Sequence, residues 1–440
     1  MGRTKGPGLN ERRQQLRRRL SFLLEWIARL EGTALAQTKL QIDQVLEQLR
    51  LVEDRILAAD PVAALLFAPP RPQLSEIQTA LPNDDTLLLE FSLSEQRSFV
   101  FAVTKISLDV YALPSRADIE SVARTVSEVL RRRENPRTAL GRLSRMLLKP
   151  VESHLRKRPV LVVPDGALHY VPFSALPDPA TGAPLIVDHE IVHLPSASAL
   201  AILRANRKSR VPAPQKLLIV SDPVYDRGDS RLPTLARSGA KQSAFGRLIF
   251  SGRAAQHLAA LVPPADRLML VGFDADKKKL LSSSLRDYRV LHFDAHGVLD
   301  EAQPDLSGVV LSLVDREGST RDGFLRLHDV TALDLRADLV VLGSCQSSLG
   351  REVRGEGLMA LTRGFFYAGA SAVVASLWNV DDEASAELMK HFYQSIFGSD
   401  RLRPAAALRR AQLATLARPG WRDPYYWASH TMQGLEVTLQ

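Results

Sequence analysis

The chain has 440 residues, of which 45% are hydrophobic and 24% charged, a balance that excludes collagen, a coiled-coil rod and a disordered tail and leaves room for two or three globular domains. Of the formal net charge of +8, residues 1–20 supply most, with seven bases (Arg3, Lys5, Arg12, Arg13, Arg17, Arg18, Arg19) against Glu11, so the other 420 residues carry only +2 and direct nucleic-acid binding is not expected. A single cysteine, Cys345, excludes an internal disulfide and the zinc and iron–sulfur sites that need several thiolates.

Met1 to Arg19 is charged throughout and lacks the apolar stretch and small-residue cleavage site of a signal peptide, so a cytoplasmic location is expected. Leu16, Leu20, Leu23, Leu24, Ile27 and Leu30 then recur at helical spacing, and after Gly32 so do Ile42, Val45, Leu46, Leu49, Val52 and Ile56. This predicts a helical hairpin ending at Pro61, with no second copy at the 34-residue period of tetratricopeptide repeats. From Pro82 the pattern changes: Thr86–Phe91, Ser98–Thr104 and Leu108–Leu113 are short, rich in β-branched and aromatic residues, and read as antiparallel strands. Helices are expected near 116–133 and 138–156, followed by a strand at Val160–Val163 that Pro164-Asp165-Gly166 stops.

A basic linker with two prolines, Asn206–Pro214, separates this half from one organised differently. Leu217–Val220, Leu268–Val271, Val290–Phe293, Leu339–Leu342 and Ala372–Leu377 are near-continuous apolar runs, mostly alternating with segments long enough for helices. That is the signature of a largely parallel sheet with helices on both faces. Val309–Val314 and Phe324–Leu327 bracket the polar loop Asp315–Asp322 and read as an inserted hairpin. None of these runs approaches the roughly 20 apolar residues that cross a bilayer, so no membrane contact is expected.

Chemistry in open α/β sheets collects at the carboxyl ends of strands. One strand runs through Arg289-Val-Leu-His-Phe-Asp-Ala-His296 into Gly297, and another through Leu339-Val-Val-Leu-Gly-Ser-Cys345. The histidine precedes the cysteine by 49 residues, close to the spacing of about 50 in caspases. A cysteine needs a base to become a thiolate, and imidazole suits that near neutrality. Glycine after the histidine lets a substrate carbonyl approach, so the Gly297 and Cys345 amides are the candidate oxyanion hole. A lone cysteine is often only a small buried apolar residue, but Cys345 stands among Gly343, Ser344, Ser347 and Ser348, in a loop. His292 and His296 have the i, i+4 spacing of a helical metal pair, yet the run is strand-like and offers no Glu in the HExxH position. No metal or other cofactor is expected, and His292 reads as a structural histidine within its strand. Gly355–Ala360 matches GxGxxA but starts about a dozen residues after its strand, where a dinucleotide fingerprint needs an immediate turn.

Taken together, Val340-Val-Leu-Gly-Ser-Cys-Gln346, Gly355-Glu-Gly-Leu358, Phe366-Tyr-Ala-Gly-Ala-Ser371, Val374-Ala-Ser-Leu-Trp-Asn-Val-Asp-Asp382 and His292-Phe-Asp-Ala-His-Gly297 strongly resemble the CHAT domain, the caspase-like peptidase family related to separase. Val163-Pro-Asp-Gly-Ala-Leu-His-Tyr-Val-Pro-Phe173 and Leu194-Pro-Ser-Ala197 are similar to that family's leading portion, and the resemblance covers roughly residues 75–440. It implies an α/β fold, a caspase-like mostly parallel sheet flanked by helices, preceded by a degenerate leading α/β subdomain packed against it and by the helical hairpin. The implied organisation is a basic arm and hairpin over 1–74, a pseudo-protease-like part over 75–210 and a catalytic part over 211–440.

The same resemblance implies a cysteine endopeptidase with Cys345 and His296 as its dyad, cutting a protein substrate such as a pore-forming effector in a bacterial defence or cell-death system. Relatives carry long tetratricopeptide arrays as sensors; this chain has one helical pair, so a separate activating partner is expected. Where the family usually has Ala-Cys-Glu-Thr this chain has Ser344-Cys345-Gln346-Ser347, and where it has Ala-Thr-His this chain has Asp294-Ala-His296, which puts a carboxyl beside the base. Separase-like members prefer a basic residue just before the cut, which needs a carboxylate in the pocket. Asp222, Asp294, Asp381 and Asp382 are the candidates. Asp222 reads equally as a turn residue before Pro223, and Asp381 or Asp382 as the N-cap of a helix beginning near Ala384. A non-catalytic CHAT scaffold is the alternative function, although a scaffold has no physical need for both His296 and Cys345.

Overall fold

The computed structural model describes residues 32–59, 73–208, 210–233, 245–298, 306–343 and 356–439, with single positions between Leu9 and Leu23. The chain divides into two compact units, Met1–Arg71 and Pro72–Gln440, each described here by itself. Among the described residues, no helix is long and apolar enough to cross a membrane.

In the first unit the apolar stripes do what their spacing demands. Leu16, Leu20 and Leu23 close against Ile42, Val45, Leu46, Leu49 and Val52 of the 28-residue helix Gly32–Ala59, and all eight are buried. A stripe at i, i+3, i+4 puts these side chains on one helix face, and pairing two such faces removes both from water at about 1.5–3 kcal/mol per large side chain.

The second unit is built on strands β1 (Leu87–Ser92), β2 (Ser98–Val103), β3 (Leu108–Leu113), β4 (Val160–Val163), β5 (Ile191–His193), β6 (Gln215–Ser221), β7 (Arg267–Val271), β8 (Tyr288–Asp294), β9 (Gly297–Val298), β10 (Gly308–Val310), β11 (Phe324–Arg326), β12 (Leu339–Leu342), β13 (Ala372–Ser376) and β14 (His430–Gly434). Eleven of them form one sheet in the order β3-β2-β1-β4-β5-β14-β13-β12-β8-β6-β7, while β11-β10-β9 form a separate small sheet, which contains the inserted hairpin. The pairs β1–β2, β2–β3 and β13–β14 are antiparallel and the others in the large sheet parallel. The leading strands β1–β5 pack beside the later ones, as the resemblance implies. They continue the same sheet edge to edge, joined where β5 meets β14.

Near-continuous apolar strands belong to a sheet covered on both faces, and alternate residues go to opposite cores. On β12, Val340 and Leu342 face one cluster and Leu339 and Val341 the other; on β8, Leu291 and Phe293 oppose Val290. The first face is covered by helices Arg116–Arg131, Arg137–Leu147 and Glu356–Ala368, the second by Ala197–Lys208, Ile249–Ala260, Asp382–Phe397 and Pro404–Leu416. The helix expected over 138–156 ends at Leu147 and resumes only as the short turns Lys149–Val151 and Glu152–Leu155. Pro150 lacks the N–H that an uninterrupted helix needs. Helix Ala197–Lys208 likewise takes the first three residues of the expected linker.

Candidate active site

Strand β8 lies between β6 and β12, parallel to both, so the carboxyl ends of all three open on one edge of the sheet. Leu342 is in register with Phe293, and Ser221 with Asp294. His296 stands three residues beyond Phe293. Cys345 stands three beyond Leu342 and lies outside the described residues, which break off at Gly343 and resume at residue 356.

His296 is buried and held on several sides. Its backbone N–H donates to the Tyr225 hydroxyl at 3.1 Å, and its ring lies 5.0 Å from that of Tyr225 and 5.6 Å from that of Phe245. Its Nε2 lies 2.6 Å from the Gly246 carbonyl oxygen. A carbonyl can only accept, so Nε2 carries the hydrogen, and the neutral ring presents Nδ1 as its basic atom. Burial lowers the His296 pKa below the usual histidine value, and the bond to Gly246 opposes that shift. Tyr225, Phe245 and Gly246 were not legible as site residues. The decisive group is a backbone carbonyl, which leaves no trace in side-chain chemistry.

Gly297 begins β9 and faces Val309 of β10. Val310 N–H donates to His296 O at 2.7 Å. Antiparallel ladders alternate hydrogen-bonded and non-hydrogen-bonded pairs, so the Gly297 N–H is turned away from β10.

The four candidate carboxylates divide sharply. Asp222, at φ +48° just past β6, is buried and tied to two arginines. Arg247 grips it bidentately, Nε to Oδ1 at 3.0 Å and Nη2 to Oδ2 at 2.9 Å, and Arg231 Nη1 lies 2.9 Å from Oδ2. Arg231 is braced in turn by Asp229 through Nε and Nη2 at 2.8 and 2.7 Å. Asp381 is an N-cap, accepting from Ala384 N–H at 3.0 Å at the start of helix Asp382–Phe397. Asp382 reaches across to the next helix and accepts from Phe250 N–H at 3.0 Å; burial raises its pKa, that bond lowers it, and the charges of Asp381 and Asp222 raise it further.

Asp294 is buried at the end of β8, and its pKa is pushed up to about 7 by burial first and then by the negative charges of Asp382 and Asp222. His292 Nε2 stands 4.0 Å from its Oδ2, but that imidazole is itself buried and held near 3, so it brings no positive charge at neutral pH. His292 sits on the opposite core face from Phe293, its Nδ1 3.1 Å from the Tyr393 hydroxyl, as a structural histidine would. Among the described residues, no group of three or more His, Cys, Asp or Glu side chains is arranged to hold a metal.

Comparisons with known proteins agree with this architecture. Residues 137–435, well over half of the chain, match the CHAT domain family. The chain is 25% identical over 338 residues to tetratricopeptide repeat protein 28 of Homo sapiens and 26% identical over 357 residues to that of Mus musculus. Those stretches are 67% and 70% of this chain but 13% and 14% of the relatives, so the chain spans only a small fraction of the length of the curated relatives it matches. Among solved structures, the separase–securin complex of Saccharomyces cerevisiae is similar over 88% of this chain and 31% of that chain, with a TM-score of 0.50 at 10% identity. The Arg-specific cysteine proteinase gingipain R is similar over 73% of this chain and 75% of that chain, with a TM-score of 0.41 at 10% identity. At such identity a likeness speaks to fold alone, while the family match runs from helix Arg137–Leu147 through β14 and takes in the β8–β12 edge: the chain belongs to the CHAT domain family.

Proposed function

We propose that this protein is a caspase-like cysteine endopeptidase in which Cys345 is the nucleophile and His296 its base. The observation that carries the reading is the β8–β12 register. Phe293 and Leu342 are partners on adjacent parallel strands, and His296 and Cys345 each follow their partnered residue by three positions. Nδ1 of His296 takes the thiol proton, and the thiolate attacks the carbonyl carbon of the substrate peptide bond. The Gly297 and Cys345 N–H groups receive the resulting oxyanion, and the imidazolium returns the proton to the departing amine, leaving a thioester that water hydrolyses. The Gly246 carbonyl keeps the ring in one tautomer and stabilises the imidazolium while it exists, the part a third group plays in other nucleophile–base pairs.

The substrate is a protein cut after a basic residue. Asp222 is already paired with Arg231 and Arg247 and Asp381 is engaged as a cap, so the carboxylates that support a basic preference are Asp294 and Asp382. Activation by a separate protein and a bacterial defence or cell-death setting with a pore-forming effector as substrate rest on the family resemblance. A thiol-directed peptide probe tests the enzymatic reading against a non-catalytic scaffold: covalent labelling is expected in the wild-type chain and lost in Cys345→Ala, and a wild-type chain that stays unlabelled in the presence of its activating partner overturns it.

A further inference from the structure

Gly343 is the last described residue before the segment that carries Cys345, and its peptide groups are held from three directions. Its N–H donates to Phe293 O at 2.8 Å. Its carbonyl accepts twice, from Ser385 Oγ at 3.2 Å and from His430 Nε2 at 3.2 Å. A Cβ at this position would lie 3.1 Å from Asp294 Oδ1, so the end of β8 packs closely on this turn.

His430 comes from an unexpected quarter. It opens β14, and β13 lies between β14 and β12 in the sheet, so the imidazole reaches past one strand to bond the end of the next. Its ring is oriented from both sides. Nε2 must carry the hydrogen to donate to a carbonyl, and Nδ1 then accepts from the Ser429 hydroxyl at 3.0 Å. The residue is 1% exposed, and burial holds its pKa down to about 4, so it is a neutral donor at physiological pH. Burying an imidazole costs free energy that Leu or Phe would not incur at the same place, so packing alone does not explain a histidine here.

We propose that His430 is a positioning residue for the nucleophile: with Ser385 it fixes the Gly343 carbonyl, and through the rigid peptide plane it sets the direction in which the chain leaves β12 toward Cys345. This rests on the cysteine-peptidase reading for its purpose, but its test does not need catalysis. Cys345 is the sole thiol, so iodoacetamide alkylation of the full-length protein reports on that residue alone. His430→Phe keeps a planar ring and removes the donor, while His430→Gln keeps an N–H near the position of Nε2.

The expected result is that His430→Phe changes the alkylation rate at pH 7 by about tenfold and moves the midpoint of its pH profile, the size of effect that one lost hydrogen bond produces. His430→Gln should return both to within about twofold of wild type, with melting temperatures of all three proteins showing that the fold persists. A His430→Phe profile that overlays wild type, or a His430→Gln protein no better than His430→Phe, overturns the proposal. Should His430→Phe fail to fold, Ser385→Ala removes the other donor and must move the rate and midpoint in the same direction; an unchanged profile there overturns it equally. A wild-type chain that a thiol-directed peptide probe leaves unlabelled in the presence of its activating partner sinks the peptidase reading by itself, and the contrast between Phe and Gln in the alkylation profile still decides the role of His430.

Discussion

Asp222 and Asp294 end neighbouring strands at almost the same height, since Ser221 and Asp294 are register partners, yet they live in opposite electrostatic worlds. Asp222 is clasped by Arg247 and Arg231, with helix Ile249–Ala260 packed so close that a Cβ on Gly252 would lie 3.1 Å from its Oδ2. Asp294 feels burial and the charges of Asp382 and Asp222, which drive its carboxyl toward neutrality. The lesson is that an acid at a strand end acquires its role from what the tertiary fold sets against it. A charge clasped by two guanidinium groups is structural, whereas a carboxyl pushed near 7 is poised to respond to a bound cation or to pH.

The largest effect should come from removing either member of the proposed dyad. Cys345→Ala and His296→Ala are each expected to lower cleavage by a factor of about 10⁴ or more, and the double variant should be no worse than either, because the two act as a unit. Kinetics on one protein substrate under activating conditions check this, and retained cleavage in Cys345→Ala, once contaminating proteases are excluded, removes the dyad. Next comes the Asp222 side. Asp222→Ala strands Arg231 and Arg247 without their shared carboxylate and is expected to cost roughly 2–4 kcal/mol in chemical denaturation, more than any change at Asp294. A loss below about 0.5 kcal/mol would mean that the arginine clasp holds nothing together.

Asp294→Asn should act in the opposite direction. Asp294 ionises more easily in the unfolded chain than in the folded one, so it is the ionised form that weakens the fold. Removing it should raise stability above pH 7 by on the order of 1–2 kcal/mol, with the gain fading as pH falls through the window from about 7 to about 4 and absent below it. Denaturation curves at pH 8 and pH 4 distinguish this from a pH-independent packing change. His292, His193 and His430, held near 3, 4 and 4, give the reverse dependence: stability is lost as pH falls below the ordinary histidine value toward those values. The smallest effect concerns specificity. Cleavage after Arg should exceed cleavage after Lys, because a guanidinium pairs bidentately with a carboxylate, and the margin should shrink severalfold in Asp294→Asn and Asp382→Asn but not in Asp381→Ala. A peptide library cut after Asp or large apolar residues would sink the basic preference.

Much of this molecule could be read without coordinates, for a physical reason. Strands buried on both faces must be apolar along their length, so Val160–Val163, Leu339–Leu342 and the cores of β6, β8 and β13 announce themselves, as do the hairpin stripes at helical spacing and the polar turn between β10 and β11. A histidine and a cysteine that follow such strands are legible too, which is how His296 and Cys345 stand out. Neither β5 nor β14 carries that signal: one has three residues, and the other is His430-Thr-Met-Gln-Gly434, whose buried polar groups are satisfied only by the fold. With those two strands hidden, the join between the leading strands and the rest of the sheet leaves no trace in the sequence. Gly434 belongs to the same hidden seam; at φ +101°, a Cβ there would lie 2.5 Å from Ser371 O and 2.7 Å from Phe366 Cε1.

The sequence by itself determined which segments are strands and helices where burial is one-sided or complete, and which side chains stand at the ends of β8 and β12, because periodicity and residue chemistry are local. The tertiary structure decided what those residues answer to. Arg247 closes on Asp222 across 25 positions, the Gly246 carbonyl sets the tautomer of His296 across 50, and His430 reaches Gly343 across 87. Each is a pairing of groups that carries no period and, at two of the three, a backbone carbonyl identical in every residue, so only the folded chain can specify it.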